Sequence, residues 1–100
     1  MSRRSVNWDK GLAEDLRDLK FSQSFIQAAL EEGMALQAVL GKVIRLYGLK
    51  EFAKKSGVTG PNILRAVGTK GNPTIETLNR LLKPFSLELS VVPRVRAKAA

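Results

Sequence analysis

The feature that most constrains the fold is the spacing of small and apolar residues between Leu49 and Gly68. Ala53, Gly57, Val58, Ile63 and Ala66 stand 4, 8, 9, 14 and 17 positions after Leu49. A small residue at position 53 allows two helices to cross closely, and a glycine at position 57 allows the positive φ of a tight turn. Val58 and Ile63 then fill the space between the helices. The spacing predicts a helix-turn-helix, and therefore duplex DNA as a ligand.

The outward side of the second predicted helix carries side chains suited to the major groove. The candidate base-reading residues are Thr59, Asn62, Leu64 and Arg65. Arg65 suits either a guanine edge or a phosphate, and Asn62 suits either an adenine edge or the capping of the helix. Thr59 is the expected N-cap. Leu64 is expected to contact either a thymine methyl group or the core.

The positive charge is concentrated in and after the predicted helix-turn-helix. Residues 1–40 carry five basic and six acidic side chains, a net charge of −1. Residues 41–100 carry 12 basic and three acidic side chains, a net charge of +9. Release of counterions from a polyanion drives binding to such a surface. The residues expected to bind DNA phosphates are Lys50, Lys54, Lys55, Ser56, Lys70 and Asn72.

The composition argues against an enzyme. The chain has no cysteine and no histidine, so it lacks the commonest zinc ligands, a thiolate nucleophile and the usual general base near neutral pH. We therefore expect no catalytic residues, no metal, no cofactor and no small-molecule substrate. No stretch approaches the roughly 18 apolar residues of a membrane span. We predict a cytoplasmic protein with no membrane partner.

Apolar residues before the predicted helix-turn-helix recur at helical spacing in three segments. The first begins near residue 9, and the second has Ser22 as its expected N-cap and ends before Gly33. The third covers residues 36–47. These segments predict a helical bundle that supports the DNA-binding part.

A change of period marks the C-terminal part of the chain. Thr74 is the expected N-cap of a last helix that ends before Pro84. Beyond it, Leu87, Leu89 and Val91 alternate with the residues between them, which predicts one strand. Because the rest of the chain is predicted to be helical, we expect this strand to pair with a second copy. The predicted fold is mainly α, a five- to six-helix bundle with one C-terminal β-strand pairing across a dimer.

These patterns divide the chain into four parts. Residues 1–33 form an N-terminal helical segment that faces a protein partner or supports the dimer, and residues 34–85 form the DNA-binding domain. Residues 86–93 form the dimerisation strand. Residues 94–100 form a basic tail, which is either an electrostatic arm or a solubilising end.

Several runs of residues together resemble a known family. They are Gly48-Leu-Lys-Glu-Phe-Ala-Lys-Lys-Ser-Gly-Val-Thr59, Ile63-Leu-Arg-Ala66, Lys70-Gly-Asn-Pro-Thr-Ile-Glu-Thr-Leu78, Ser86-Leu-Glu-Leu-Ser-Val91 and Phe25-Ile-Gln-Ala-Ala-Leu-Glu-Glu-Gly33. Across residues 8–92 the chain resembles the HigA-like, Xre-type antitoxins of bacterial addiction modules, with a lambda-repressor-like helix-turn-helix. The resemblance implies a homodimer with two roles. It would bind a RelE/ParE-like (HigB-type) toxin that cleaves messenger RNA, and it would repress the operon that encodes both proteins.

The chain departs from that family at two places. The second helix of the helix-turn-helix begins with Thr59-Gly-Pro-Asn62, and Leu64 replaces an aromatic residue before the arginine, so an operator sequence cannot be transferred from a relative. Pro84 and Ser86 stand in place of an alanine and a glycine. We therefore expect a tighter or differently angled junction between the last helix and the strand.

Three N-terminal aromatic residues are the candidates for contact with a protein partner. Trp8, Phe21 and Phe25 are either core residues or anchors for the toxin. The helix-turn-helix alone is shared by many repressors. The alternative is therefore a stand-alone Xre-type or phage-type transcriptional repressor that has no toxin partner.

Overall fold

The computed structural model of the protein describes residues 11–94, and this part of the chain is mainly helical. A helical segment at residues 11–15, named α1, comes first. The elements that follow are α2 (Leu19–Glu31), α3 (Leu36–Tyr47), α4 (Leu49–Ser56), α5 (Gly60–Val67), α6 (Ile75–Leu82) and a 3-10 helix (Lys83–Phe85). The prediction of a mainly α fold with five to six helices is confirmed over these residues. The predictions for Trp8 and for residues 95–100 lie outside them.

The start of α2 differs from the prediction. Asp18 is the N-cap, since its side chain accepts a hydrogen bond from the backbone N–H of Lys20 at 3.2 Å. The prediction of Ser22 as the cap is wrong. Ser22 is buried inside the helix, and its Oγ donates to the carbonyl of Leu19 at 2.9 Å. The break between α1 and α2 falls at residues 16–18, where Leu16 enters the core.

α3 supplies the centre of the hydrophobic core. Val39, Leu40, Val43 and Ile44 are each at most 2% exposed, so one wide face of the helix is buried. Every other helix adds at least one buried residue to the same core. The core residues besides the four named are Leu12, Leu16, Ile26, Tyr47, Phe52, Val58, Ile63, Ala66, Leu81, Leu82 and Phe85.

Three aromatic rings hold the ends of α3, α4 and the 3-10 helix together. The ring centroids of Tyr47 and Phe52 are 5.5 Å apart in an edge-to-face arrangement. The rings of Phe52 and Phe85 stack at 5.5 Å. Gln23 in α2 adds a polar contact, because its Nε2 donates to the carbonyl of Phe85 at 2.9 Å. The 3-10 helix is thereby attached to both α4 and α2.

α4 and α5 are joined by the three residues 57–59. Gly57 has a φ of 79° and occupies the left-handed region, as predicted. Val58 and Ile63 are buried, also as predicted. Thr59 caps α5 by accepting a hydrogen bond from the N–H of Asn62 at 3.4 Å. The turn is therefore short, with Gly57 ending α4 and Thr59 capping the start of α5.

Residues 86–93 do not form the predicted strand. No strand is present among residues 11–94, and a strand requires a paired backbone. The period-2 pattern is nevertheless visible, because Leu87 and Leu89 are half-buried against the core while the residues between and after them are exposed. The N–H of Leu89 donates to Asn79 Oδ1 at 2.7 Å. Of the three predicted dimerisation residues, only Val91 is fully outward, at 96% exposed.

The loop between α5 and α6 packs closely against the end of α5. The N–H of Gly71 donates to the carbonyl of Gly68 at 3.0 Å. A Cβ atom on Gly71 would lie 2.8 Å from the carbonyl oxygen of Ala66 and closer still to that of Arg65. Backbone carbonyls cannot turn aside as a long side chain can. Position 71 therefore accepts only glycine without movement of the loop.

We expect Gly71→Ala to lower the free energy of unfolding by about 1 to 3 kcal/mol, the usual effect of overpacking a close contact. Gly11→Ala is the matched control, because a Cβ at Gly11 meets nothing within 4 Å and the residue lies in α1. Alanine favours a helix, so this variant should be as stable as the wild type or slightly more stable. Urea unfolding followed by circular dichroism measures both. A Gly71→Ala protein as stable as Gly11→Ala would contradict the close packing.

Candidate nucleic-acid interface

The exposed side of α5 presents an amide and a guanidinium together. Asn62 and Arg65 lie one helical turn apart, and Arg65 Nη1 donates to Asn62 Oδ1 at 3.2 Å. The Asn62 side chain takes no part in capping, since only its backbone N–H bonds to Thr59. Leu64 is 51% exposed, so its side chain is not a core residue. All four predicted base-reading residues are thus on the surface of α5 or at its first turn.

A groove runs beside α5, and we name it the α5–α6 groove. Its polar walls are Thr59, Asn62 and Arg65 on one side and Asn72, Thr77 and Arg80 on the other. It encloses about 330 Å³. Side chains from two helices and the loop at residues 68–73 therefore converge on one open site.

The α6 side of this groove contains residues that the sequence interpretation missed. Thr77 and Arg80 are three positions apart on α6, away from the core face formed by Leu81 and Leu82. Their spacing of three residues on the predicted last helix could have shown that they lie on one face of it. Arg80 pairs with Glu76 at 3.1 Å, but both side chains are more than half exposed, so the pair is worth at most about 0.5 kcal/mol. The guanidinium can therefore turn to an anion at small cost.

The start of α6 matches its prediction and faces the same groove. Thr74 is the N-cap, and its Oγ1 accepts from the N–H of Thr77 at 3.1 Å. Thr74 also lines the groove. The cap residues of both α5 and α6 thus border one site.

The predicted phosphate-binding lysines lie in different surroundings. Lys50 and Lys54 are exposed on α4, and Lys70 is exposed in the loop before Asn72. The ammonium group of Lys55 lies over the aromatic ring of Tyr47, with Nζ 5.5 Å from the ring centre. Hydrogen bonding to the Tyr47 hydroxyl raises the pKa of Lys55 above its ordinary value.

An ion pair next to Lys55 connects the N-terminal segment to α4. Arg17 Nη1 lies 2.8 Å from Glu51 Oε2, and Arg17 Nη2 donates to the carbonyl of Tyr47 at 3.0 Å. The guanidinium carbon is 4.7 Å from the centre of the Tyr47 ring. The hydrogen bond to Glu51 is the main reason that the pKa of Arg17 is raised, against the opposing effect of burial. Glu51 and Lys55 are therefore engaged within the fold, whereas Lys54 is not part of this contact.

Ser56 has a structural position. It is 9% exposed, and its Oγ accepts a hydrogen bond from the N–H of Val58 at 3.2 Å. This bond closes the turn between α4 and α5. Its hydroxyl therefore orders the turn instead of lying on the surface where a phosphate would bind.

The N-terminal candidates for a protein partner are partly engaged in the core. Phe21 and Phe25 lie one turn apart on α2, with ring centroids 6.1 Å apart, and both are half-buried against the core. Leu19, Leu30 and Met34 are more exposed, at 39–43%. The aromatic pair therefore presents only part of its surface to a partner.

A small apolar groove lies between α2 and the segment after the 3-10 helix. Its walls include Ile26 and Leu30 from α2 and Leu87 and Leu89 from the C-terminal segment, and it encloses about 110 Å³.

Within residues 11–94, none of the helices has the length and apolar character that a membrane crossing requires.

Comparison with known proteins shows a distant similarity to a bacterial protein. An uncharacterized protein of Haemophilus influenzae is 25% identical over 85 residues, and the alignment covers 83% of this chain and 88% of the relative. No protein-family model and no solved structure matches the chain. The chain is therefore similar to a bacterial protein of nearly the same length.

Proposed function

We propose that the protein binds duplex DNA by placing α5 in the major groove, with α4 and α5 acting as a helix-turn-helix. The observation that carries this proposal is the paired, exposed Asn62 and Arg65 at the edge of the α5–α6 groove. An arginine fits the acceptors of guanine, and an asparagine fits the edge of adenine. The direct Arg65–Asn62 hydrogen bond would be exchanged for bonds to base edges.

Electrostatics supports the same face. Residues 41–70 contain seven basic side chains and one acidic side chain. That acid, Glu51, is neutralised by Arg17 at 2.8 Å. The surface beside α5 therefore presents positive charge with little internal compensation, which favours a polyanion.

We further propose that the chain is an antitoxin that neutralises a RelE/ParE-like toxin and represses its own operon as a dimer. Support comes from the resemblance to HigA-like antitoxins and from apolar surface away from α5, including Leu30, Met34 and Val91. Within residues 86–93, the backbone N–H groups of Ser86, Leu87 and Leu89 donate hydrogen bonds, and those of residues 88 and 90–92 do not. The backbone of this segment can therefore pair with a second copy.

A stand-alone repressor is the second candidate. Phe21 and Phe25 pack against the chain's own core, which reduces the surface left for a toxin. This function uses the same DNA contacts, so only a partner experiment separates the two candidates.

Arg65→Ala should weaken binding to a duplex that the protein selects from a random library by about 1 to 3 kcal/mol, because a base contact is lost. Binding to a scrambled duplex should change little. Arg65→Lys is the matched variant, since it keeps the charge but cannot form the two-pronged contact with guanine. It should lose selectivity as well. Fluorescence anisotropy measures each affinity, and equal losses on both duplexes would show that Arg65 contacts only phosphate.

Lys54→Ala should reduce the slope of log Kd against log salt concentration by about one unit, because one phosphate contact disappears. Lys55→Ala should reduce it less, since the Lys55 ammonium group already lies over Tyr47. The comparison is made on one duplex at several salt concentrations. A larger effect of Lys55→Ala would contradict the separation of the two lysines.

Co-expression with the product of the neighbouring gene tests the antitoxin function. We expect the two proteins to purify together and the chain to restore growth that the partner inhibits. Absence of both effects, with DNA binding intact, would leave the stand-alone repressor as the function.

A further inference from the structure

The side chain of Gln37 makes two hydrogen bonds that the proposed DNA contacts do not include. The residue lies in the first turn of α3 and is half-buried. Its Nε2 donates to the carbonyl of Ala66 at 2.8 Å and to the carbonyl of Gly71 at 3.3 Å. Both acceptors are oxygen atoms, so only the NH₂ side of the amide fits this position. One side chain thus joins α3, α5 and the loop at residues 68–73.

One of the two carbonyls belongs to a residue that lines the α5–α6 groove, and the other belongs to the residue just before the opposite wall. Ala66 lies in the last turn of α5, where backbone carbonyls lack partners within the helix. Gly71 immediately precedes Asn72, which lies on the opposite wall. Gly71 also packs directly on the carbonyls of Arg65 and Ala66. Movement of this contact would change the separation between Asn62 and Arg65 on one wall and Asn72 on the other.

We propose that Gln37 is a positioning residue for DNA recognition, which sets the separation of the two walls so that one duplex contacts both. The inference rests on the proposed DNA-binding function and adds a determinant of its selectivity. Gln37 lies on α3, and its side-chain amide acts through Ala66 and Gly71. Correct spacing is required for base contacts, whereas general attraction to phosphates tolerates displacement.

Gln23 offers a matched control within the same chain. It is also half-buried, and its Nε2 donates to the carbonyl of Phe85 at 2.9 Å. It therefore makes the same type of contact, but with the 3-10 helix instead of the groove. Substitutions at both positions remove a similar hydrogen bond, and only those at Gln37 alter the groove walls.

The first experiment compares Gln37→Glu, Gln37→Met and Gln23→Glu. At position 37, glutamate places a carboxylate against the carbonyl oxygens of Ala66 and Gly71, whereas methionine keeps the length of the side chain but has no hydrogen-bond donor. Circular dichroism at the assay temperature identifies the variants that are folded. For each, Kd is measured on the duplex selected by the wild type and on its scrambled form. We expect the ratio of the two affinities to fall about tenfold in the Gln37 variants, a loss comparable to one weak base contact, and to stay within about twofold in Gln23→Glu.

The second experiment needs no DNA. Hydrogen exchange of backbone amides in the free proteins should accelerate at residues 68–74 in the Gln37 variants. In Gln23→Glu the acceleration should instead occur near residues 84–89. Unchanged exchange at 68–74 would overturn the proposal, and so would accelerated exchange with an unchanged affinity ratio. If the wild type selects no duplex, the DNA-binding function fails, and the exchange result alone decides whether Gln37 holds the loop.

Discussion

The structure depends on packing against α3, because its partners cannot be stable alone. α4, α5 and α6 each have eight residues. Isolated helices shorter than about 12 to 15 residues are marginal in water. α4 and α5 are therefore stabilised by packing against the buried side of α3, formed by Val39, Leu40, Val43 and Ile44, and α6 is stabilised by packing against α4, α5 and the 3-10 helix. The same packing fixes the position of α5, as the proposed role in DNA binding would require.

Polar side chains complete this arrangement at the ends of the helices. Arg17, Gln23 and Gln37 each donate to a backbone carbonyl of a distant segment, and Asn79 accepts from the N–H of Leu89. Carbonyls at helix ends lack partners within the helix, so these bonds satisfy groups that would otherwise depend on water. They also fix how each short helix is oriented. Hydrophobic packing supplies most of the stability, and these contacts define the relative positions.

Local signals in the sequence predicted the local structure well. Gly57, Thr59 and Thr74 have the turn and cap roles that their residue types favour. Features that depend on distant contacts were not accessible. Examples are the position of Lys55 over Tyr47, the requirement for glycine at position 71, and the contribution of Arg80 to the α5–α6 groove. The predicted strand failed for a related reason, since backbone pairing is a property of two segments.

In the proposed function, duplex DNA contacts the chain at α5 and across the α5–α6 groove. A titration of the isotope-labelled protein with a short duplex, followed by backbone amide NMR, tests it most directly. We expect shifts concentrated at residues 50–80, with the amides of α2 unaffected. Shifts confined to α2 and residues 87–94, or none at low salt, would contradict it.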